Sequence, residues 1–302
     1  MLKNEDNILE NGFISYPLDS TFRLAIDENF NPTVLISQKN FDNSGRVTTN
    51  FKLDKLEVKY NVHCKVLDIE TKTEASEAFT IVRQINGNSR MHEYFLRVLD
   101  GIITELGKSP SALRLNSEIE YLVKLFSSPK KVDERTVLGL WGELVYILSS
   151  EEIELSIEAW HLDRDNLFDF SFEDNNVEVK TTTRNSRIHE FNNSQLRKFR
   201  TLQVNVASMI TEKAALGSSI MDLWISISDK CTDQESLNKL TRIVGETITQ
   251  DIEALNNIKY NYNMAQSTLK VYNSQDLPNI MLKDIPHGIT DVHVSLNLDT
   301  IK

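Results

Sequence analysis

Short runs that alternate apolar and polar residues fill the first 90 positions of the chain, with clusters of Asn, Asp and Gly between them. Alternation with a period of two, interrupted by such turn formers, is typical of half-buried β-strands. The pattern therefore predicts a β-rich N-terminal module over residues 1–90, followed by a second domain over residues 91–302. The predicted strands are Phe22–Ile26, Thr33–Ser37, Phe51–Val58, Asn61–Ile69 and Ala78–Ile85.

Apolar positions then recur at the helical spacing of i, i+3, i+4 and i+7 in three segments. His92–Leu106 and Ser111–Phe126 are predicted helices, and the first ends at Gly107. A third helix is predicted to run from Asp133, whose side chain can cap it, to Leu148. The apolar side chains expected in the core are Phe95, Leu96, Leu99, Ile102, Ile103, Leu113, Ile119, Leu122, Leu125, Val137, Leu140, Trp141, Leu144 and Leu148.

Two further alternating stretches, Phe168–Phe172 and Val177–Lys180, flank four turn-forming residues, Glu, Asp, Asn and Asn. This pattern predicts an antiparallel β-hairpin. Side chains two apart on a strand share a face, so Glu178 and Lys180 are expected beside the carboxylate of Asp169 from the partner strand. The hairpin therefore gathers two carboxylates and one ammonium group into a small area.

Beyond the hairpin, the apolar pattern indicates a mixed sheet flanked by helices, which places the chain in the α/β class. Residues 185–191 form a polar segment, and Asn193 or Ser194 can cap a helix that begins near Gln195. The remaining predicted elements are strands at Val204–Ile210, Leu223–Ile227 and Thr290–Leu298 and a long helix at Leu237–Leu255.

The composition is that of a globular protein, because 302 residues with 40% apolar and 25% charged side chains can build a sizeable core. No run of about eighteen apolar residues and no charged-then-apolar leader is present, so we expect a cytoplasmic protein with no membrane contact. Cys64 and Cys231 are far apart, and the six histidines show no paired spacing. This pattern argues against a disulfide framework and against a zinc enzyme.

The hairpin side chains Asp169, Glu178 and Lys180 suit metal-assisted hydrolysis of a phosphodiester. Hard divalent cations such as Mg²⁺ (or Mn²⁺) bind carboxylate and water oxygens, and two carboxylates leave positions open for a phosphate. A nearby lysine can orient a water or stabilise charge that develops on phosphorus. The alternative is that Glu-x-Lys on an exposed strand forms an ordinary solvated surface.

The net charge of −11 is unfavourable for a nucleic-acid-binding protein, because Lys and Arg supply most of the affinity for phosphates. The charge is unevenly distributed, since six basic residues stand against two acidic ones between Glu178 and Arg200. A basic flank beside an acidic metal site fits a DNA backbone, although an ordinary solvated helix would show the same pattern. The candidate nucleic-acid contacts are Arg184, Arg187, Arg197, Lys198 and Arg200.

These residues resemble a known nuclease core. Asp169, Glu178, Val179 and Lys180 match the motif of the PD-(D/E)XK nuclease superfamily, whose fold is that of type II restriction endonucleases, with Phe168 in place of the proline. A narrower resemblance is to a bacterial family of uncharacterised PD-(D/E)XK motif proteins that are often associated with phage defence. It rests on Gly139–Leu144, Asp169-Phe170, Val177–Thr182 and Ser194–Leu196.

The resemblance implies a restriction-endonuclease-like core and a divalent-metal-dependent DNA endonuclease of a restriction-modification or phage-defence system. It makes Asp169 and Glu178 metal ligands and Lys180 the group that positions the water. It adds Glu143, from the helix before the hairpin, as a further metal-binding carboxylate and Gln195 as an assisting amide. The implied partners are DNA, a second copy of the chain in a homodimer, and ATPase or methyltransferase subunits. For Glu143 the alternative is a solvated helix glutamate.

Gly139 and Gly142 lie within the predicted third helix, where each glycine costs about 1 kcal/mol relative to alanine. We expect a close approach, such as one to the hairpin backbone, to compensate for this cost. 

Two other functions stay open from the sequence. One is a non-catalytic nucleic-acid-binding or assembly subunit that keeps the nuclease fold, and the other is a structural protein with no nucleic-acid role. Metal-dependent nicking by the purified chain would separate the catalytic hypothesis from both.

Overall fold

The structure of the chain, a computed structural model, divides into two compact units, residues 1–130 and 131–302. Within the part of the chain that it describes, no helix is both long and apolar enough to cross a membrane. The described residues are 12–37, 49–127, 133–161, 166–248, 256–278, 287, 289 and 292–301.

The first unit contains a β-sheet that closes on itself. Its strand order is β1-β2-β3-β6-β5-β4, and β1 also pairs with β5 in parallel, so five of the strands form a ring. All other neighbours in the sheet are antiparallel. The strands are Gly12–Pro17 (β1), Phe22–Ile26 (β2), Pro32–Ser37 (β3), Phe51–Lys52 (β4), Leu56–Asp68 (β5) and Glu74–Gln84 (β6).

The sequence pattern missed β1 and predicted one strand where β4 and β5 are separate. Leu53 N donates to Leu56 O at 2.8 Å, which makes a tight turn between these two strands. The predicted strands at 22–26, 33–37 and 78–85 agree with β2, β3 and β6 to within four residues, and the strand predicted at 61–69 covers the second half of β5. The described residues of this region before α1 thus form six strands.

Two helices, Ser89–Leu106 (α1) and Ala112–Leu125 (α2), pack against this sheet. Side chains of β2, β3 and β6 share one apolar contact region with side chains of both helices, among them Leu99 and Ile119. This packing joins both helices to the first unit, whereas the boundary expected from the sequence lies near residue 90. Gly107 ends α1 with φ +65°, as predicted, but Leu113 is 67% exposed and the prediction of a core position there is wrong.

The second unit has a mixed four-stranded sheet and several helices, so the α/β class expected from the sequence is confirmed. Its helices are Glu134–Leu148 (α3), Ile153–Ala159 (α4), Asn193–Lys198 (α5), Ile220–Ser228 (α6), Gln234–Ile248 (α7) and Tyr262–Thr268 (α8). Its strands are Phe170–Ser171 (β7), Asn176–Thr182 (β8), Ile188–Asn192 (β9), Val204–Ile210 (β10), Lys213–Ser218 (β11), Lys270–Asn273 (β12) and His293–Asn297 (β13).

The main sheet of this unit has the order β12-β10-β8-β7. β7 and β8 form the predicted antiparallel hairpin, closed by a bond of 2.8 Å from Phe172 N to Asn175 O. β8 and β10 run parallel, with Lys180 opposite Ser208, and β12 is antiparallel to β10. β9 and β13 pair in a separate antiparallel ladder.

One predicted element of this unit is wrong, and one strand was missed. The segment Leu223–Ile227 is helical rather than extended, because Ser219 and Asp222 form a capping box that starts α6. The missed strand is β9, which begins within the polar segment at 185–191 and ends at Asn192. The final strand is present as β13, and the long helix is present to Ile248, while residues 249–255 and 290–291 lie outside the described part of the chain.

α3 lies against β8 and α6, and it fixes the position of the hairpin. Its predicted apolar stripe is buried at Val137, Leu140, Trp141 and Leu144, and the indole Nε1 of Trp141 donates to the backbone oxygen of Ser218 at 2.8 Å. Asp133 caps the helix, as predicted. The helix therefore brings its exposed first turn and the segment that contains Gly139 and Gly142 next to the end of β8.

Candidate active site

β8 holds Glu178 and Lys180 side by side. Glu178 is only 4% exposed, and its Oε1 lies 2.7 Å from Lys180 Nζ. The Lys180 ammonium also lies 5.0 Å from the centre of the Phe191 ring on β9. The ion pair on one side and the aromatic face on the other both favour this position of the ammonium.

Asp169 precedes β7 and is tied to the partner strand. Its Oδ2 accepts a hydrogen bond of 2.7 Å from Val179 N, and its backbone oxygen accepts one of 2.9 Å from His161 N. Burial raises the pKa of the Asp169 carboxyl well above its usual value, and the negative charges of Glu178 and Glu143 raise it further. The three carboxyl groups are therefore close enough to interact electrostatically.

Glu143 reaches the same place from α3. Its Oε2 accepts a hydrogen bond of 2.7 Å from Trp160 Nε1, and the Trp160 ring stacks on Phe170 of the hairpin. Burial raises the pKa of Glu143 to about 7, and the negative charge of Glu178 contributes to this rise. The hydrogen bond from Trp160 and the positive charge of Lys180 act in the opposite direction and lower the pKa. The alternative of a freely solvated glutamate at this position does not match these contacts.

An open cavity of about 640 Å³ connects these groups. Its lining includes all five side chains that the sequence assigned to catalysis, namely Glu143, Asp169, Glu178, Lys180 and Gln195. The hairpin, α3 and the start of α5 thus contribute to one concave site, the usual form of a ligand-binding site.

The carboxylates suit a hard divalent cation. Asp169, Glu178 and Glu143 each use one oxygen in the bonds given above, and their second oxygens accept no hydrogen bond from the residues that the structure describes. Across those same residues, no three His, Cys, Asp or Glu side chains form a group that could hold a metal ion. Mg²⁺ needs only one or two protein carboxylates beside water and phosphate oxygens, so the donor set fits Mg²⁺ or Mn²⁺.

Gln195 has a structural task in addition to its place in the cavity wall. It is the third residue of α5, and it forms a capping box with Asn192, which is the actual N-cap in place of the expected Asn193 or Ser194. Its Nε2 also donates to the backbone oxygen of Leu167 at 3.3 Å. The amide therefore anchors α5 to the segment that leads into the hairpin.

The residues of the predicted basic flank differ in their exposure to solvent. Arg184, Arg197, Lys198 and Arg200 are exposed, and Arg184 lines the cavity. Arg187 is instead 3% exposed. Its guanidinium donates to Ser208 O at 2.6 Å and to Thr268 O. Arg187, directly before β9, therefore connects this strand to β10 and α8 and is not on the surface where a nucleic acid could contact it.

The sequence did not single out several residues of the cavity wall, among them Arg135, His189 and Lys213. Nε2 of His189 lies 2.7 Å from Ser208 Oγ, and burial lowers the pKa of His189 to about 4, helped by the charges of Lys180 and Arg187. Burial alternates along this segment, with Arg187, His189 and Phe191 buried, but the residue types do not alternate between polar and apolar in the same way, so the sequence carried no signal for His189. Arg135 and Lys213 come from α3 and β11, and no local pattern brings those two elements together.

Comparison with known proteins gave one family. The model of the family described as "Putative PD-(D/E)XK family member, (DUF4420)" matches residues 3–299. No curated protein and no solved structure matches the chain.

Proposed function

The chain belongs to this PD-(D/E)XK family, and from this premise we propose that it is a divalent-metal-dependent endonuclease that hydrolyses phosphodiester bonds in DNA on a restriction-endonuclease-like core. One observation carries the proposal. Asp169, Glu178, Glu143 and Lys180, from a hairpin and a neighbouring helix, line one cavity, and each is held by a specific contact. 

Asp169 and Glu178 would hold Mg²⁺ or Mn²⁺ together with water and phosphate oxygens, with Glu143 as a nearby carboxylate. A bound divalent ion would polarise the phosphoryl oxygen and offset the negative charge of the carboxylates. Asp169 is oriented for this task by Val179 N, and Glu143 by the indole of Trp160. Because both groups are positioned before any ligand binds, little reorganisation is needed during the reaction.

Lys180 supplies a fixed positive charge in the cavity. Its ammonium, held between Glu178 and the Phe191 ring, can donate to a water or to a phosphate oxygen and stabilise charge that develops on phosphorus. Arg184 lines the same cavity and can contact the nucleic-acid backbone. 

The test is cleavage of supercoiled and single-stranded DNA with Mg²⁺ or Mn²⁺. Lys180→Ala should lower the cleavage rate by about 100-fold or more while metal binding remains, since a preorganised charged group is worth about 3 kcal/mol in a barrier. Asp169→Ala should lose metal binding and cleavage together. Lys230→Ala removes an exposed lysine outside the cavity wall and serves as the matched control, with unchanged activity expected. 

A wild-type chain that cuts no substrate with either ion would contradict the catalytic proposal. One observation favours the second candidate, a non-catalytic nucleic-acid-binding or assembly subunit: in the described residues the acidic groups form no three-ligand metal site. Retained DNA binding without cleavage, with candidate ATPase or methyltransferase subunits present, would establish that candidate.

The biological setting is part of the proposal and rests on the family resemblance. We place the chain in the cytoplasm, in a restriction or phage-defence system. Phage plating on cells that carry the wild-type gene or Asp169→Ala tests this role, and equal plating on both would contradict it. Sedimentation of the purified chain tests the expected homodimer.

A further inference from the structure

The charges that line the cavity are nearly balanced before any ligand binds. The wall contains five carboxylates and four Lys or Arg side chains. Among the residues that the structure describes, three of these four cations are paired with a carboxylate of the same wall. The pairs are Lys180 with Glu178, Lys213 with Glu134, and Arg135 with Glu190. A polyanion approaching this cavity therefore meets little uncompensated positive charge.

The pairs differ in their exposure to solvent. In the inner pair, the side chains of Lys180 and Glu178 are 21% and 6% exposed. In the two outer pairs, which we term the rim pairs, the exposure is 59% for Lys213 and 56% for Glu134, and 81% for Arg135 and 58% for Glu190. Exposed ion pairs contribute little free energy and exchange partners easily, so the rim pairs can open at small cost.

The rim pairs also have a shared geometry. Glu134 and Arg135 are consecutive in the first turn of α3, and they reach in two directions, Glu134 to Lys213 on β11 and Arg135 to Glu190 on β9. Arg135 and Glu190 are joined by a contact of 3.6 Å. All four side chains line the cavity that holds the catalytic carboxylates. The start of α3 is thus tied to strands on two sides of the site.

A carboxylate and a phosphate offer the same kind of anionic oxygen to a lysine or arginine. We propose that Glu134 and Glu190 are internal competitors that occupy the phosphate-binding side chains Lys213 and Arg135, and that the phosphodiester backbone of a nucleic acid binds by displacing them. This inference rests on the proposed function for the class of ligand. It adds Arg135 and Lys213 to the surface that contacts the backbone.

The test measures binding of a labelled DNA duplex, single-stranded DNA and an RNA duplex at several salt concentrations, without a divalent ion so that nothing is cut. Glu134→Gln and Glu190→Gln should each tighten binding by about two- to fivefold, the range expected for loss of an exposed ion pair. The slope of log affinity against log salt should change little. Lys213→Ala should weaken binding and reduce that slope by about 0.9, because one phosphate contact is lost.

A double-mutant cycle separates displacement from a general effect of charge. If Glu134 acts through Lys213, then Glu134→Gln should give no gain in the Lys213→Ala background. A general charge effect would give equal gains in both backgrounds and would overturn the inference. Glu151→Gln, an exposed carboxylate outside the cavity wall, is the control of identical chemistry and should leave binding unchanged.

The outcomes distinguish this inference from the proposed function. If the wild type binds and cuts DNA but the two amide variants bind no tighter than Glu151→Gln, the displacement mechanism is wrong and the nuclease proposal stands. If the amide variants bind DNA more tightly but neither they nor the wild type cut it with Mg²⁺ or Mn²⁺, the displacement mechanism is supported and the nuclease proposal is contradicted. If neither the wild type nor the amide variants bind any of the three nucleic acids, both are wrong. Equal effects across the three ligands identify the backbone itself as the ligand.

Discussion

Replacing Gly142 by alanine tests whether α3 and β8 are in the close contact that positions the site. A β-carbon at Gly142 would lie 1.8 Å from Thr181 Oγ1 and 2.9 Å from Thr181 Cβ. Rotation of the threonine side chain can lengthen the first contact but leaves the second unchanged. The helix and the strand must therefore move apart by a small distance. Glu143 follows Gly142 and Lys180 precedes Thr181, so this movement would separate two groups of the candidate site.

Gly139 provides a matched control on the same helix. A β-carbon there would have no heavy atom within 4 Å, apart from its own surroundings in the helix. Both substitutions gain about 1 kcal/mol from the higher helix propensity of alanine. Overpacking opposes this gain only at Gly142 and costs about 1–3 kcal/mol. The difference in unfolding free energy between the two variants therefore isolates the cost of the clash.

We expect Gly139→Ala to stabilise the second unit by about 1 kcal/mol and Gly142→Ala to be less stable than Gly139→Ala by about 1–3 kcal/mol. Urea unfolding followed by tryptophan fluorescence is a suitable assay, because all three tryptophans lie in the second unit. Thr181→Ala in the Gly142→Ala background removes the shorter contact and should restore part of the loss. Equal stability of the two alanine variants would refute the reasoning.

Further predictions concern the metal and the basic flank. Mg²⁺ or Mn²⁺ at 100 times its dissociation constant should stabilise the wild type by about 2.7 kcal/mol, a rise of about 5–10 °C in the melting temperature. Thermal titration should show no such rise for Asp169→Ala, and the same rise in both proteins would contradict a site there. Arg187→Ala should lower the unfolding free energy by about 1–3 kcal/mol, because it removes the hydrogen bonds that its buried guanidinium donates to Ser208 O and Thr268 O. Arg197→Ala, at an exposed position, should leave the unfolding free energy unchanged and reduce the slope of log DNA affinity against log salt by about 0.9. Similar losses of stability in both arginine variants would argue against the buried role of Arg187.

The sequence predicted well those features that depend on neighbours along the chain. The alternation around residues 173–176 predicted the β7–β8 hairpin, and Asp133 with its apolar stripe predicted α3. The unfavourable glycine within that helix predicted a close approach, which the structure shows for Gly142 against a hairpin side chain, although not for Gly139. The motif residues then lie together because a short hairpin leaves its strands only one way to pair.

The tertiary structure decided the features that depend on distant partners. The apolar run Leu223–Ile227 has no periodicity that separates a strand from a buried helix, and its helical state follows from a cap and from packing against α3. Arg187 looks like a surface cation in sequence. Its burial requires acceptors from Ser208 and Thr268, which lie 21 and 81 residues away.

The charge around the site was likewise settled by the fold. The sequence indicated a basic stretch near the hairpin, but the rim pairs join residues of α3 to residues of β9 and β11 that lie more than fifty positions further along the chain. Local patterns constrain backbone conformation because hydrogen bonding and side-chain direction repeat over a few residues. They do not constrain which charged groups meet, because that depends on chain segments that become neighbours only when the whole unit packs.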